Sequence, residues 1–471
     1  MSLISRLTTL SAASSGNNLD DYWFSVVTTG GSPNYSWQVD VNSNGEILAK
    51  GYSDTASTSY AAYFLKFDVD GTLDLQFGLN EDNININIFA DGGGALDDSG
   101  NIYACANAVD TDGWHPTITK LNSSGTIIWD KEFHKVQTSS SSGSQFQYMQ
   151  LNSSGDLYVA GRYDYDGLTP TTQIVAKYNS SGVLQWHNTI DSTPADGNYN
   201  ATATTNLALD SNENLIVGGR FLVTVSSVQY QALLVKYNSS GVQQWNRSYI
   251  QDASFGYTLT GYARGVAVDS SDNIYMGWQT GWSSSDSTVT GSLIKHNSSG
   301  AVQWTKVWGG GSTTLTTGIA VDSNDDIIVV GHSVNSGGTD YAQAQGHIIK
   351  FNSSGTEQWQ RRFRVGDGST YYLAFTDVTV DANDNIIMTA YTNNDDSLTK
   401  PLILKIPSDG SLTGTYGDYV FESSSVPVTT QTPRTVTGQF STTETLSGVT
   451  TPNGTMQKAN HNATGTVTDL D

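Results

Sequence analysis

A chain of 471 residues with a formal net charge of −23 repels phosphate backbones, and no nucleic-acid partner is expected of it. Only 14% of its residues are charged, 10% are aromatic and 47 are glycine, a mix that suits many short strands and turns rather than long surface helices. Cys105 is the single cysteine, which excludes an intrachain disulfide and a thiolate metal cluster, and no apolar run approaches the roughly 20 residues that span a bilayer, so no membrane insertion is expected.

Residues 1–19 open with MSLISRLTTL, an apolar stretch broken by hydroxyls and a poor signal peptide. Leu3, Ile4, Leu7 and Leu10 make a modest stripe, and the segment is expected to be an anchoring arm. Residues 21–27, DYWFSVV, read as the last strand of a repeated unit whose first strands are missing. The stretch from Trp23 also tracks the one from Trp304 for much of its length. The strand around Trp23 is therefore predicted to complete the last unit, beside the segment before Lys405.

Two markers then run in step. The first is an Asp/Asn turn such as VDSSDNI (from Val268), which occurs seven times, first as VNSNGEI (from Val41) and last as VDANDNI (from Val380). The second is a lysine that ends an apolar run, Lys66, Lys120, Lys177, Lys236, Lys295, Lys350 and Lys405, at spacings of 54 to 59 residues. In five units the lysine opens a ten-residue phrase such as KYNSSGVQQW (236–245). Asn-Ser-Ser-Gly between two strand patterns is hairpin chemistry, with Gly taking the positive φ. Trp129, Trp186, Trp245, Trp304 and Trp359 stand at one place in their units, which predicts packing between neighbouring sheets. Each unit reads as four strands, so residues 20–416 are predicted to form an all-β, seven-bladed β-propeller of four-stranded antiparallel blades. Residues 417–471 are Thr-rich and cannot build a core; they are expected to be disordered or to lie as strands on another surface or subunit.

Catalytic signatures are absent from the sequence. The seven histidines are scattered, and there is no HExxH, no GxSxG elbow and no P-loop. No carboxylate pair is selected over another, and the chain is expected not to be an enzyme and to hold no cofactor. Asp322, Asn324 and Asp326 have D-x-N-x-D spacing, a weak Ca2+ candidate; Ile follows where a calcium loop needs Gly, so a structural turn is favoured.

Binding is the better expectation. Antiparallel blades put the short Asp and NSSG turns on one face and the long, variable loops on the other. Those loops carry Trp114, His115, Tyr163, Tyr165, Tyr199, Tyr257, Trp278, Trp282, Tyr341 and Tyr371, candidates for stacking on sugar rings or docking a receptor.

The pairing of VDSxxNI with KxNSSGxxxW over residues 21–416 resembles the bacterial seven-bladed β-propeller repeat of the SBBP type. The MSLISRL start and Thr-rich end are similar to structural proteins of marine, cyanophage-like tailed bacteriophages. That likeness implies a virion tail component assembled in the host cytoplasm, a homo-oligomer in the particle, with other virion proteins and a host surface glycan or receptor as partners. The alternatives are a polysaccharide depolymerase acting on the same face and a bacterial surface adhesion module.

Overall fold

The computed structural model describes residues 22–28, 32–55, 59–81, 93–110, 113–133, 145–163, 172–190, 202–224, 228–250, 261–280, 289–309, 313–334, 344–366, 371–392, 400–416, 418–430, 434–436, 443–444, 456–459 and 466–469. They form seven antiparallel sheets, one per repeat, and include no helix. The strands nearest the axis are Ser32–Val41, Gly94–Leu96, Gln145–Leu151, Thr202–Leu209, Gly261–Val268, Thr313–Val321 and Leu373–Val380, which define blades 1 to 7. Each is followed outward by a second, third and outer strand. Blade 7 takes its outer strand from the other end of the chain. Trp23–Thr28 pairs antiparallel with Lys400–Ile406, with Trp23 opposite Lys405, so the ring closes as the half-unit at the N-terminus predicts.

The apolar residues of alternate parity fill the spaces between blades. Tyr158, Ala160 and Val175 of blade 3 pack with Leu215, Val217 and Leu233 of blade 4, while Ile216 and Leu234 face blade 5. Each blade therefore shares a core with both neighbours and has none of its own, and each residue's parity decides which neighbour it serves.

The two repeated markers meet in space. The lysine of each unit pairs with an acid of the same blade's Asp turn: Lys236 with Asp210 at 2.7 Å, Lys350 with Asp322 at 2.6 Å, Lys405 with Asp381 at 3.0 Å. In blades 1 and 3 the first turn residue is Asn42 or Asn152 and the acid appears four residues on, as Glu46 at 2.6 Å from Lys66 and Asp156 at 3.0 Å from Lys177. Burial works against ionisation of Asp210, but Lys236 and Asn214 outweigh it and hold the carboxyl below the usual carboxylate range. The same balance, with Asn385 and Lys405, holds Asp381 low.

The lysines also reach forward. Lys236, Lys295 and Lys350 donate to Ser298, Ser353 and Ser408 carbonyls of the next blade, and Lys405 donates to Val69 of blade 1 across the seam. The tryptophans do the same by shape. A Cβ added at Gly182, Gly241, Gly300, Gly355 or Gly410 would lie 2.7–3.0 Å from an atom of the preceding blade's Trp, or nearer still to Lys306 at Gly355. Those five glycines have φ between +61° and +83°, so each must be Gly both for its backbone and for the indole it seats.

On the same face, Glu213, Asp272, Asp325 and Asp384 adopt positive φ without being glycine, a conformation that costs most residues about 1 kcal/mol. For three of them the strain is offset by a link to the preceding blade. Asp272 accepts from the backbone N–H and hydroxyl of Ser211, Asp325 from those of Ser270, and Asp384 from those of Ser323 at 2.8 and 2.6 Å.

The Ca2+ candidate falls within this lattice. Asp322 accepts the backbone N–H groups of Asn324 and Asp326, both at 3.0 Å, on the oxygen away from Lys350. Its spacing builds an Asx turn, and its carboxylate is shared between that turn and the lysine.

Candidate functional site

The inner strands of six blades carry a β-bulge at one position, where the register shifts around Trp37, Gln147, Thr205, Arg264, Thr317 and Thr376. A bulge breaks the alternation and re-aims the next side chain. Below it the strands line an axial channel of about 710 Å³ that runs to the Asp turns. Two acids of the channel have unusual proton affinity. Burial pushes Asp377 up to about 7, against hydrogen bonds from Val39 and Val378 and helped by the nearby Asp40. Burial pushes Asp40 up to about 6, against hydrogen bonds from Leu96 and Val41. Both keep part of their surface open to the channel, so protein surrounds them in every direction but one. Asp377 accepts from Val39 N–H at 3.1 Å and Asp40 from Leu96 N–H at 2.8 Å, bonds that join blade 7 to blade 1 and blade 1 to blade 2.

Above the bulges, toward the long loops, the second strands carry polar residues at one level. Arg162, Arg220, Gln279, His332 and Tyr391 each lie opposite the residue four before the unit's lysine, from Gln173 in blade 3 to Pro401 in blade 7. Their parity turns them toward the next blade. The bulge residue Arg264 joins this level: its Nε donates to Gln279 Oε1 at 3.0 Å. Burial, then the charge of Arg264, pull the His332 imidazole down to about 4, against a backbone hydrogen bond with Phe375. Behind it, burial and His332 pull His347 down to about 3. His347 is 4% exposed, its ring lies over Gly331, and neither ring nitrogen has a hydrogen-bond partner among the described residues. In blade 7 the Tyr372 and Tyr391 rings meet edge to face at 5.6 Å, and Thr392 donates to the Tyr372 carbonyl.

This level gathers a positive arc, neutral imidazoles and phenols on a chain of net charge −23. Its guanidinium groups suit an anionic ligand, and its imidazoles, held near 4 and near 3, stay neutral at pH 7. Among the described residues no group of three or more His, Cys, Asp or Glu is placed to hold a metal ion.

Of the aromatic candidates, three have described side chains. His115 is buried, Trp278 is buried with its ring 6.2 Å from Tyr249, and Tyr371 is half-buried against the core of blades 6 and 7. Trp114 and Tyr163 sit on strands, with side chains outside the described residues, and Tyr165, Tyr199, Tyr257, Trp282 and Tyr341 lie outside the described residues altogether. Sequence reasoning missed the arginines, Gln279 and the Asp40–Asp377 pair, and it set the histidines aside as scattered. Aligning the units at the first residue of the Asp turn (Asn152, Asp210, Asp269, Asp322) would have shown Arg162, Arg220, Gln279 and His332 in one column.

No family model and no curated protein sequence matches the chain. Among solved structures it is similar to a polysaccharide lyase, a PL25 ulvan lyase bound to -[GlcA(1-4)Rha3S]-, with a TM-score of 0.52 and 10% identity over 82% of this chain and 96% of that one. A second PL25 ulvan lyase structure gives a TM-score of 0.51 at 9% identity, covering 81% and 96%. The polysaccharide lyase Uly1 follows at 0.44 and 9%, covering 86% and 95%, too distant to carry weight. At such identity the likeness is one of fold. It nevertheless corrects the expectation of a non-enzymatic protein, because the matching ring belongs to enzymes. These structures do not include a phage protein, and the virion, tail and host-attachment expectations find no support in them.

Proposed function

We propose that this protein cleaves an acidic polysaccharide at the loop-side level of the ring. The observation that carries the reading is the run of Arg162, Arg220, Arg264, Gln279 and His332 across adjoining blades of a strongly acidic chain. An acidic surface repels a polyanion, so arginines at one level of adjoining blades offer a place where one is accepted. The planar fork of arginine matches carboxylate and sulfate oxygens two at a time. The fold likeness to a lyase holding a glucuronate and sulfated rhamnose unit supports the same direction.

The chemistry these residues suit is elimination from a uronate. A base removes the proton α to the carboxylate, the bond to the glycosidic oxygen breaks with its electron pair leaving on oxygen, and a ring double bond forms. The departing oxygen takes a proton from the conjugate acid or from water. Arg264, held by Gln279, is placed to offset the charge that builds on the carboxylate. His332 is neutral at pH 7 because burial and Arg264 disfavour its cation, which suits it to a hydrogen bond with a sugar hydroxyl rather than to the role of base. The test is ultraviolet absorbance of unsaturated uronate product, with new reducing ends, from glucuronate-bearing glycans against a neutral glucan. Arg264→Ala should lose about 100-fold or more in rate. Neither product from sulfated or unsulfated uronate glycans would remove the reading.

A further inference from the structure

The described strands after the last blade add to successive outer edges of the ring in one direction. Tyr419–Ser423 adds to the outer strand of blade 6, Val428–Thr430 to blade 5, Arg434–Val436 to blade 4 and Thr443–Glu444 to blade 3. Met456–Ala459 then adds to blade 1, and Thr466–Asp469 to the N-terminal strand that completes blade 7. All six pairings are antiparallel, and their order runs against the order of the blades. About 50 residues at roughly 3.3 Å each reach about 165 Å, enough to encircle a ring of this kind.

The hold of this segment changes along its length. Tyr416, Tyr419 and Phe421 are buried in the core of blades 6 and 7, and Glu422 accepts from Arg364 at 3.0 Å and from Arg362. Gln360 and Val426 exchange two hydrogen bonds of 2.8 Å, and Lys306 donates to Thr430 Oγ1 at 3.0 Å. Past Thr430 the ladders are two to four residues long. Threonine suits this part, since its branched side chain favours strands while adding little apolar surface. The segment begins as part of the core and continues as an edge covering.

A blade's outer strand presents unpaired N–H and C=O groups, the template for pairing with another chain, and seven identical folds in one ring multiply that hazard. We propose that the six added strands between Tyr419 and Asp469 form a belt that replaces the long outer edge of each blade it joins by one of two to five residues and so opposes edge-to-edge pairing with a second copy of this chain. The described outer edge with no fifth strand, Ile127–Glu132 of blade 2, ends in Lys131 and Glu132, charges that oppose pairing by another route. This role is independent of the chemistry at the loop-side level.

Ending the chain after Thr430 keeps the anchored part and removes four of the added strands. The shortened protein should keep its circular dichroism spectrum while light scattering shows its mean mass rising about twofold or more with concentration, where the full chain's mass stays constant. A folded, shortened chain whose mass stays as constant as that of the full chain would overturn the proposal. Should that chain fail to fold, Asn80→Cys with Gln457→Cys in the full chain decides, since these residues lie opposite each other in blade 1. Oxidation should link them within one chain; thiols that remain reduced, or a link between two chains, would overturn the belt's course.

Discussion

The two faces of this ring use the same strands differently. On the turn face the blades repeat one set of devices: a lysine on an acid in each, an indole on the next blade's glycine in five, and in three places a serine on a strained aspartate of the next blade. On the loop face the blades share a level but not a residue, with Arg162, Arg220, Gln279, His332 and Tyr391 in corresponding places. Repetition marks what every blade must do, which is to hold its neighbour. Departure from repetition marks what the ring can do only once, and the positive arc lies on that side.

The comparison breaks most visibly if the turn face is damaged. Lys236→Ala leaves Asp210 buried without its cation and should lower stability by about 3–5 kcal/mol, read from denaturant midpoints. A change below about 1 kcal/mol would mean the repeated lysine is not a fastener. Trp245→Ala opens the space over Gly300. Because the indole is half-buried, a loss of about 2 kcal/mol is expected, below the usual range for a fully buried Trp. Asp384→Ala removes both bonds from Ser323 yet keeps positive φ and should cost about 1 kcal/mol. Asp384→Gly, which relieves the backbone, should recover part of it; equal losses would deny the strain its role.

The channel acids sharpen the contrast through pH. Asp40 and Asp377 have folded values raised to about 6 and about 7, above the unfolded value near 4. The stability they allow is complete below about pH 4 and is lost as pH rises through their folded values. Asp210 and Asp381, held low, act oppositely: their contribution is present above about pH 4 and lost as acid protonates them. Thermal midpoints should fall between about pH 5 and pH 7, and Asp377→Asn should flatten that decline while its amide oxygen still accepts from Val39. An unchanged slope in the variant would place the cause elsewhere.

The turn face was legible in the sequence because each fastener recurs at fixed spacing, and even the closure by Trp23 showed as a unit lacking its first strands. The acid that moves from Asn42 to Glu46 and from Asn152 to Asp156 is readable only once the lysine partner is known. The belt was not legible, since its strands of two to four residues carry no apolar period and take their register from edges far away in sequence. The loop-side level was missed for a related reason. Arg264 and His332 are 68 residues apart and belong to different blades, and no local pattern announces that burial and charge couple them.

The central claim is that the irregular level, and not the repeated face, holds the chemistry. Arg264→Ala and Lys236→Ala, assayed side by side on a glucuronate-bearing polysaccharide at a temperature where both remain folded, test it most directly. Arg264→Ala should keep its unfolding midpoint and lose unsaturated product, while Lys236→Ala should lose stability and keep turnover per folded molecule. Full product formation by Arg264→Ala would contradict it.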